Sequence, residues 1–378
     1  MRPYAVVTGD FVRTGGMDVA NYHLARYLAA SGHPVHLVSH RVDPELRAMP
    51  GVEWHHVAKP LNSYLLGSGA LARAGRRISR AIAAQQGIFV ANGGNCVSPD
   101  VNWVHYVHAG NQPAVATSWA RRAVAAWSYR HWVKDERAAV SAARVVIANS
   151  HRTRRDLIER VQAAPARVHT VYYGTDATYH RPPSADERSA ARQMLGWNDD
   201  RPSVAFVGAL GDRRKGFDLL FAAWQTLCRD SRWDARLVVV GAGTELAAWR
   251  RRAAEAQLGA RIQFLGFTRD VRRVFWAADA VVAPARYEAY GLAVHEAVCC
   301  GLPAIVNADA GVSERLGALG PLQPERPDDR DALVRALQHW ASARDRWGTV
   351  AGQVSTALRG WSWDDMGARI AALAEGDR

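Results

Sequence analysis

The stretch Asp279–Leu302, DAVVAPARYEAYGLAVHEAVCCGL, runs from a β-branched apolar segment through a polar corner into a segment with helical spacing. Asp279–Ala285 reads as a buried strand, because a continuous apolar run is what a strand covered on both faces requires. A strand-to-helix corner in an α/β protein gathers anions. The first amide N–H groups of the helix are unpaired and the helix dipole is positive at that end. Two glutamates flank this corner, Glu288 on the loop and Glu296 in the helix, with seven residues between them. A helix that begins near Gly291–Leu292 places Glu296 roughly 6 Å along the axis. Its side chain leans back toward the corner, since Cα–Cβ bonds tilt toward the helix N-terminus. A nucleoside diphosphate sugar fits this layout. Its diphosphate sits on the amides of Ala289, Tyr290, Gly291 and Leu292, its ribose diol near Glu296 and its sugar hydroxyls near Glu288. Taken alone, the pair also reads as one capping and one solvated carboxylate. A glycosidase couple is a further reading, but it demands two carboxyls facing across one oxygen at about 5–9.5 Å, which nothing here requires.

The same alternation extends along the chain. In the first half, strand-like runs occupy Tyr4–Thr8, Val35–Ser39, Ile88–Asn92, Val101–Val107, Arg144–Asn149 and Val168–Tyr172. In the second they occupy Ser203–Val207, Arg236–Val240, Ile262–Leu265, Ala280–Ala283 and Ala304–Val306. Apolar strands separated by helical segments imply parallel sheets covered on both faces, and the order repeated twice implies two doubly wound domains. The expected fold class is therefore α/β, two Rossmann-like domains facing across a cleft, with a C-terminal helix crossing back. Gly174–Arg201 is rich in Pro, Asp, Ser and Arg and reads as a linker with an entry helix. The expected division is residues 1–180, residues 181–360, and a helix at 361–378 packing toward the first domain. Trp361 and Trp363 in that tail read as core.

At 378 residues, 48% hydrophobic and 22% charged, the chain is globular and exceeds one comfortable core. Met1–Asp10 (MRPYAVVTGD) reads as a first strand, not a signal peptide, and no apolar run suffices to span a bilayer. Cys96, Cys228, Cys299 and Cys300 form no CxxC, so neither a disulfide framework nor a zinc site is expected, and a reducing cytoplasm fits. Only Lys59, Lys134 and Lys215 are lysine among 48 basic residues, and the formal net charge is +12. That excess suits a genome bias, anionic lipid or a phosphorylated substrate. No nucleic-acid motif accompanies it, and a nucleic-acid partner is not expected.

Further polar segments fall at strand ends. Ser203–Leu220 (SVAFVGALGDRRKGFDLL) is a strand, a glycine-bearing loop and a helix. Arg213, Arg214 and Lys215 in its loop suit a diphosphate leaving group or, equally, a solvated basic turn. Thr14–Met17 (TGGM) follows the first strand; Gly15 and Gly16 let backbone approach a ligand closely. The segment does not spell GxGxxG, and no acidic residue ends Val35–Ser39, so a dinucleotide site is disfavoured. His105 and His108, three apart on one strand, point to opposite faces and are not a metal pair. His105 reads as packing and His108 as facing the cleft, with Asn149–Ser150 at the same rim.

Together these segments resemble the retaining GT-B glycosyltransferases of family 4, the type that includes phosphatidylinositol mannosyltransferase. The most specific elements are E-x7-E at Glu288 and Glu296, the strand–loop–KG at Lys215–Gly216, and RVVIANS…VYYGTDATYHRP leading into the linker. The resemblance implies transfer of a hexose-type sugar from a UDP- or GDP-sugar to an acceptor hydroxyl with retention, without cofactor or obligatory metal. It implies Lys215 and Arg214 on the diphosphate, Glu296 on the ribose and Glu288 near the reacting carbon. Phosphate would be held by Gly291 and Leu292 amides and approached by Gly16, and His108 would line the reaction site. The implied catalytic residues are His108, Glu288 and Lys215. The implied donor-binding residues are Gly15, Gly16, Arg213, Arg214, Lys215, Phe267, Glu288, Ala289, Tyr290, Gly291, Leu292 and Glu296. One departure is Ala209, where the family usually has arginine; Arg213 or Arg214 then supplies the missing charge or diphosphate affinity falls.

The acceptor is less legible: a small molecule, a glycan or a lipid-linked group. Gly69–Gln86 places Leu71, Ala74, Ile78 and Ile82 on one helical face and Arg73, Arg76, Arg77 and Arg80 on the other. That pattern suits either an anionic membrane surface, with peripheral attachment to the inner face, or a helix packed on the sheet with solvated arginines. Ser118–Arg137, with Trp119, Trp127 and Trp132, reads as an acceptor groove flank or as core. A nucleotide-sugar epimerase of the same architecture and a non-catalytic sugar-nucleotide or glycan binder are the competing functions.

Overall fold

The computed structural model describes residues 1–111 and 119–376. The chain forms two compact units, Met1–Gly174 with Ser362–Arg378, and Thr175–Trp361.

The first unit is built on β1 (Tyr4–Val7), β3 (Val35–Ser39), β5 (Val52–His56), β6 (Ile88–Asn92), β7 (Val101–Val104), β8 (Val145–Ala148) and β9 (Val168–Thr170). All its ladders are parallel and the spatial order is β5-β3-β1-β6-β7-β8-β9. A two-residue ladder, β2 (Asp10–Phe11) with β4 (Arg41–Val42), extends from the ends of β1 and β3. Winding starts at β1 and proceeds outward on either side, which makes the β1/β6 junction the switch point where connections diverge. β5 escaped the sequence reading because VEWHH carries three polar residues in five and lies at the sheet edge.

The second unit repeats the plan with β10 (Ser203–Val207), β11 (Arg236–Val240), β12 (Ile262–Gly266), β13 (Ala280–Ala283) and β14 (Ala304–Val306). The order β12-β11-β10-β13-β14 is again all parallel, with its switch point between β10 and β13. The central strands are buried on both faces, as their apolar runs demand. Helix Phe217–Leu227 buries Phe217, Leu220, Phe221, Trp224 and Leu227 at helical spacing against them.

The chain enters the second unit at Thr175, ahead of the expected boundary near 180. The physical reason is that Thr175 is already committed there: its N–H donates to Trp361 O (3.0 Å) and its hydroxyl meets His295. After Trp361 the chain returns to the first unit. Helix Trp363–Glu375, started by a capping box at Ser362 and Asp365, packs on helix Gly16–Ala30. Trp363 stacks on His23 with centroids 4.5 Å apart, Arg26 pairs with Asp364 (2.6 Å), and the Tyr4 hydroxyl donates to Glu375 (2.8 Å). Trp363 is therefore core, as expected.

Helix Tyr64–Ala83 settles one open alternative. Leu71, Ile78 and Ile82 are buried against Ala5, Val7, Val38 and Phe89 of the sheet, so its apolar face is already occupied. Arg73, Arg76, Arg77 and Arg80 remain exposed. Ser118 and the side chain of Trp119 lie outside the described residues; Trp127 and Trp132 are exposed, not core. Among the described residues no helix is long and apolar enough to cross a membrane.

Candidate active site

The loops following β10 and β13 meet at the second unit's switch point. After β10 the chain makes a short turn, Arg213–Lys215, opened by Asp212, whose carboxylate accepts from Arg214 N–H (3.0 Å). Gly216 ends that turn at φ +70°. A Cβ there would stand 2.0 Å from Pro284 O, so only glycine lets the two loops close on each other. Arg286 N–H donates to Arg214 O (2.8 Å), and the Arg286 guanidinium forks onto Asp218 (2.7 and 2.9 Å). The corner after β13 is held from the other side, where Gly311 and Val312 N–H donate to Glu288 O and Tyr290 O (3.1 and 2.7 Å).

This scaffold brings Lys215 and Glu288 together: Lys215 Nζ donates to Glu288 Oε2 at 2.6 Å. Arg214 Nη1 lies 3.9 Å from the same oxygen and donates to Tyr287 O (3.2 Å). Lys215 and Arg214 thus share one carboxylate, and Arg214 is also paired with Asp212 Oδ2 (2.9 Å). Arg214, and not Arg213, supplies the second cation here. Arg213 turns to Asp218 (3.4 Å), with its side chain 63% exposed. Ala209 is exposed nearby in the chain.

Gly291, at φ +108°, starts helix Leu292–Cys299, and no side chain caps it. The amides of that helix end are those the sequence reading assigned to phosphate. The Tyr290 side chain is fully buried, bonded to His295 Nδ1 (2.9 Å), so only its backbone is open to the role the sequence reading gave it. His295, buried between Tyr290 and Thr175, is pushed down to a pKa of about 3 by desolvation and stays neutral. This buried relay ties the helix to the chain entering the unit. Thr175 stands in GTDATYHRP, but a threonine in a linker does not by its type announce a helix anchor.

Glu296 sits in the helix as expected, with desolvation raising its pKa to about 8. His180, missed at the sequence level, lies 3.9 Å away and is lowered to about 4, mainly by burial. Burial disfavours the charge on both, and the two side chains face one another at 3.9 Å. Phe267 follows β12 at the same strand-end edge and is 65% exposed.

In the first unit, Gly15 (φ +88°) precedes helix Gly16–Ala30, which no side chain caps. His105 and His108 do not share a strand. β7 stops at Val104, and His108 begins a short turn, His108–Gly110. His105 is packing: it contacts Asn92 Nδ2 (3.0 Å) and the Tyr173 hydroxyl (2.6 Å). His108 is partly open, its ring centroid 5.4 Å from that of Trp132, and burial lowers its pKa to about 4. The fully buried Glu136 accepts from His108 and Ala109 N–H (2.8 and 3.2 Å) and so sets this turn. Asn149 and Ser150 are not rim groups. Asn149 donates to His105 O and the Tyr173 hydroxyl (both 3.0 Å), and Ser150 caps helix His151–Arg160.

Sequence reasoning also missed a polar corner next to Gly15. The Asp10 side chain is fully buried, and its Oδ2 accepts from Arg41 and the Tyr64 hydroxyl (2.6 Å each). Asp18, in the first turn after Gly15, is pushed up to about 7 by burial and by Asp10.

Comparison with known proteins accords with this geometry. Residues 14–179 match the model "Glycosyltransferase Family 4" and residues 187–346 match "Glycosyl transferases group 1". The D-inositol 3-phosphate glycosyltransferase of Rhodococcus jostii is 31% identical over 229 residues, 58% of this chain and 49% of that protein. The match thus spans about half the length of that relative. The protein of the same name from Mycolicibacterium paratuberculosis is 29% identical over 94% of this chain and 84% of its own. Among solved structures, WaaG, a glycosyltransferase involved in lipopolysaccharide biosynthesis, superposes with a TM-score of 0.75 at 18% identity, over 99% of this chain and 100% of its own. Anabaena HepE, crystallised with UDP and glucose, gives 0.73 at 16% identity over the full length of both chains. With two consecutive glycosyltransferase models covering both units and this fold beneath them, the chain belongs to the family-4-type GT-B glycosyltransferases.

Proposed function

We propose that the protein moves a hexose-type sugar from a UDP- or GDP-sugar to an acceptor hydroxyl, with retention of configuration and no obligatory metal. The observation that carries this reading is the Lys215–Glu288–Arg214 cluster at the ends of β10 and β13, beside the uncapped helix at Gly291. Breaking the anomeric C–O bond leaves negative charge on the diphosphate. Fixed cations and helix amides stabilise that charge without reorganising at the moment of reaction. Glu288, released from Lys215 as the diphosphate takes the amine, would face the sugar, and Glu296 with His180 the ribose diol. The relatives support the donor class: HepE is crystallised with UDP and with UDP-glucose. The polar corner at Asp10, Asp18 and Tyr64, near Gly15, suits a hydroxyl-rich acceptor, and the named relatives act on D-inositol 3-phosphate. Retention and the role of His108 rest on the family resemblance. The matched models and named relatives are transferases and lend no support to the epimerase or the non-catalytic binder. A thermal-shift panel of UDP, GDP, ADP and dTDP tests the donor site. One nucleotide should raise the melting temperature by several degrees and lose that effect in Lys215→Ala. Four flat responses would remove the donor-site reading.

A further inference from the structure

Away from the strand-end site, the edge of the first unit's sheet holds an unassigned cluster. β3 and β5 pair in parallel with His36 opposite Glu53 and Val38 opposite His55. Side chains two apart on a strand share a face, so His36, Glu53 and His55 emerge together. His36 Nδ1 lies 3.0 Å from His55 Nε2 and 3.1 Å from Glu53 Oε2, and His55 Nε2 is 3.6 Å from Glu53 Oε1. Three potential lone-pair donors therefore converge on one point. A neutral His36 ring carries at most one proton on Nδ1 and satisfies only one of its two short contacts. Whichever ring nitrogens carry the protons, no neutral tautomer pair gives both short contacts of His36 Nδ1 a well-directed proton, and a cation on the three side chains removes that mismatch.

From this geometry we propose that His36, Glu53 and His55 form a transition-metal site, best suited to Zn²⁺, that clamps the edge strand β5 to β3. Zinc takes nitrogen and carboxylate ligands at about 2.0–2.2 Å in a tetrahedron, which sets neighbouring ligand atoms about 3.3 Å apart. The 3.0 and 3.1 Å contacts of His36 Nδ1 lie close to that value, while His55 Nε2 is 3.6 Å from the other Glu53 oxygen, so a rotation of the exposed carboxylate selects a single ligand oxygen. Two imidazoles and one carboxylate select zinc over magnesium or calcium, which prefer oxygen. The Glu53 side chain is 63% exposed, so water reaches a fourth position. Arg77 is close enough to His55 to oppose a cation there, so the Arg77→Ala variant should bind zinc more tightly.

The site is independent of the donor chemistry proposed above, and its test reads no activity. Untagged full-length protein, freed of metal with EDTA, is titrated with ZnCl₂ by calorimetry and with CoCl₂ by visible absorption. The expected result is one zinc per chain, the d–d bands of four-coordinate cobalt, and a higher melting temperature with zinc. His36→Ala and His55→Ala should each weaken binding at least about 100-fold, and Glu53→Gln at least about 10-fold. Glu53 is exposed, so Glu53→Gln should melt like the parent in EDTA, which separates ligand loss from misfolding. Absence of stoichiometric binding, or binding that all three variants leave unchanged, overturns the proposal.

Discussion

Glu296 makes the sharpest test at the scale of single residues. Its folded pKa of about 8 lies above the ordinary glutamate value because burial penalises the carboxylate. Between about pH 4.5 and 8 the folded chain holds a proton that the unfolded chain has released. The contribution is fully present below the unfolded pKa and is lost as pH rises through 8. Glu296→Gln should therefore stabilise the protein by roughly 1–3 kcal/mol at pH 8.5 relative to parent, and by little at pH 5. Urea midpoints at the two pH values check this, and an equal effect at both would contradict the burial argument. Lys215 tests charge in place of burial. Its amine is the group nearest Glu288, and removing one preorganised transition-state donor typically costs about 10²–10³ in kcat. Lys215→Ala should show that loss in donor turnover while circular dichroism stays that of the parent. Activity within threefold of the parent would remove Lys215 from the chemistry.

Elements here are set by contacts that local sequence does not announce. The turn His108–Gly110 follows β7 after three irregular residues, and its direction depends on Glu136 from helix Trp119–Ala142. Burial raises the Glu136 pKa to about 7, while the two backbone N–H groups pull it back. Glu136→Gln keeps the volume but turns one acceptor oxygen into a donor facing N–H. The expected cost is about 1–3 kcal/mol of stability, the penalty of one unsatisfied buried group. A positioning role further predicts a lower kcat with an unchanged KM for the donor. A KM rise with unchanged kcat would argue against it. The loop pair around Gly216 was legible as a basic turn, but its partner was not. That Arg286 locks it through Asp218 is a long-range fact, invisible to spacing.

At the scale of the whole molecule, the tail belongs to a unit some 190 residues behind it in the chain. Trp363, Met366, Ile370 and Ala374 are buried there. A chain ending at Trp361 should lose several kcal/mol from the first unit, at about 1.5–3 kcal/mol per large buried side chain. Calorimetry should show one melting transition shifted down and the other retained; a uniform shift of a single transition would contradict two compact units. The net charge of +12 also acts at this scale. The arginine row at Arg73, Arg76, Arg77 and Arg80 is exposed while the apolar face beneath it is packed, so any attachment to an anionic bilayer is electrostatic. We expect flotation with anionic liposomes in low salt and release in 0.5 M salt, at a Debye length of about 4 Å. Salt-resistant binding would require an inserted apolar face.

The two parallel sheets follow from the residue pattern alone, because continuous apolar strands separated by helical stretches admit little else. The same pattern put Glu288, Gly291, Lys215 and Gly216 close to strand ends, and strand ends gather at the switch point. Only the tertiary structure decided the rest. Edge strand β5 carries too little apolar signal to read, and with it the His36–Glu53–His55 cluster stayed hidden. The protonation of Glu296, the anchoring of Tyr290 through His295, and the retirement of Asn149 into the core follow from burial and cross-strand partners. Those are properties of packing, and a linear pattern of residue types does not encode which buried group meets which.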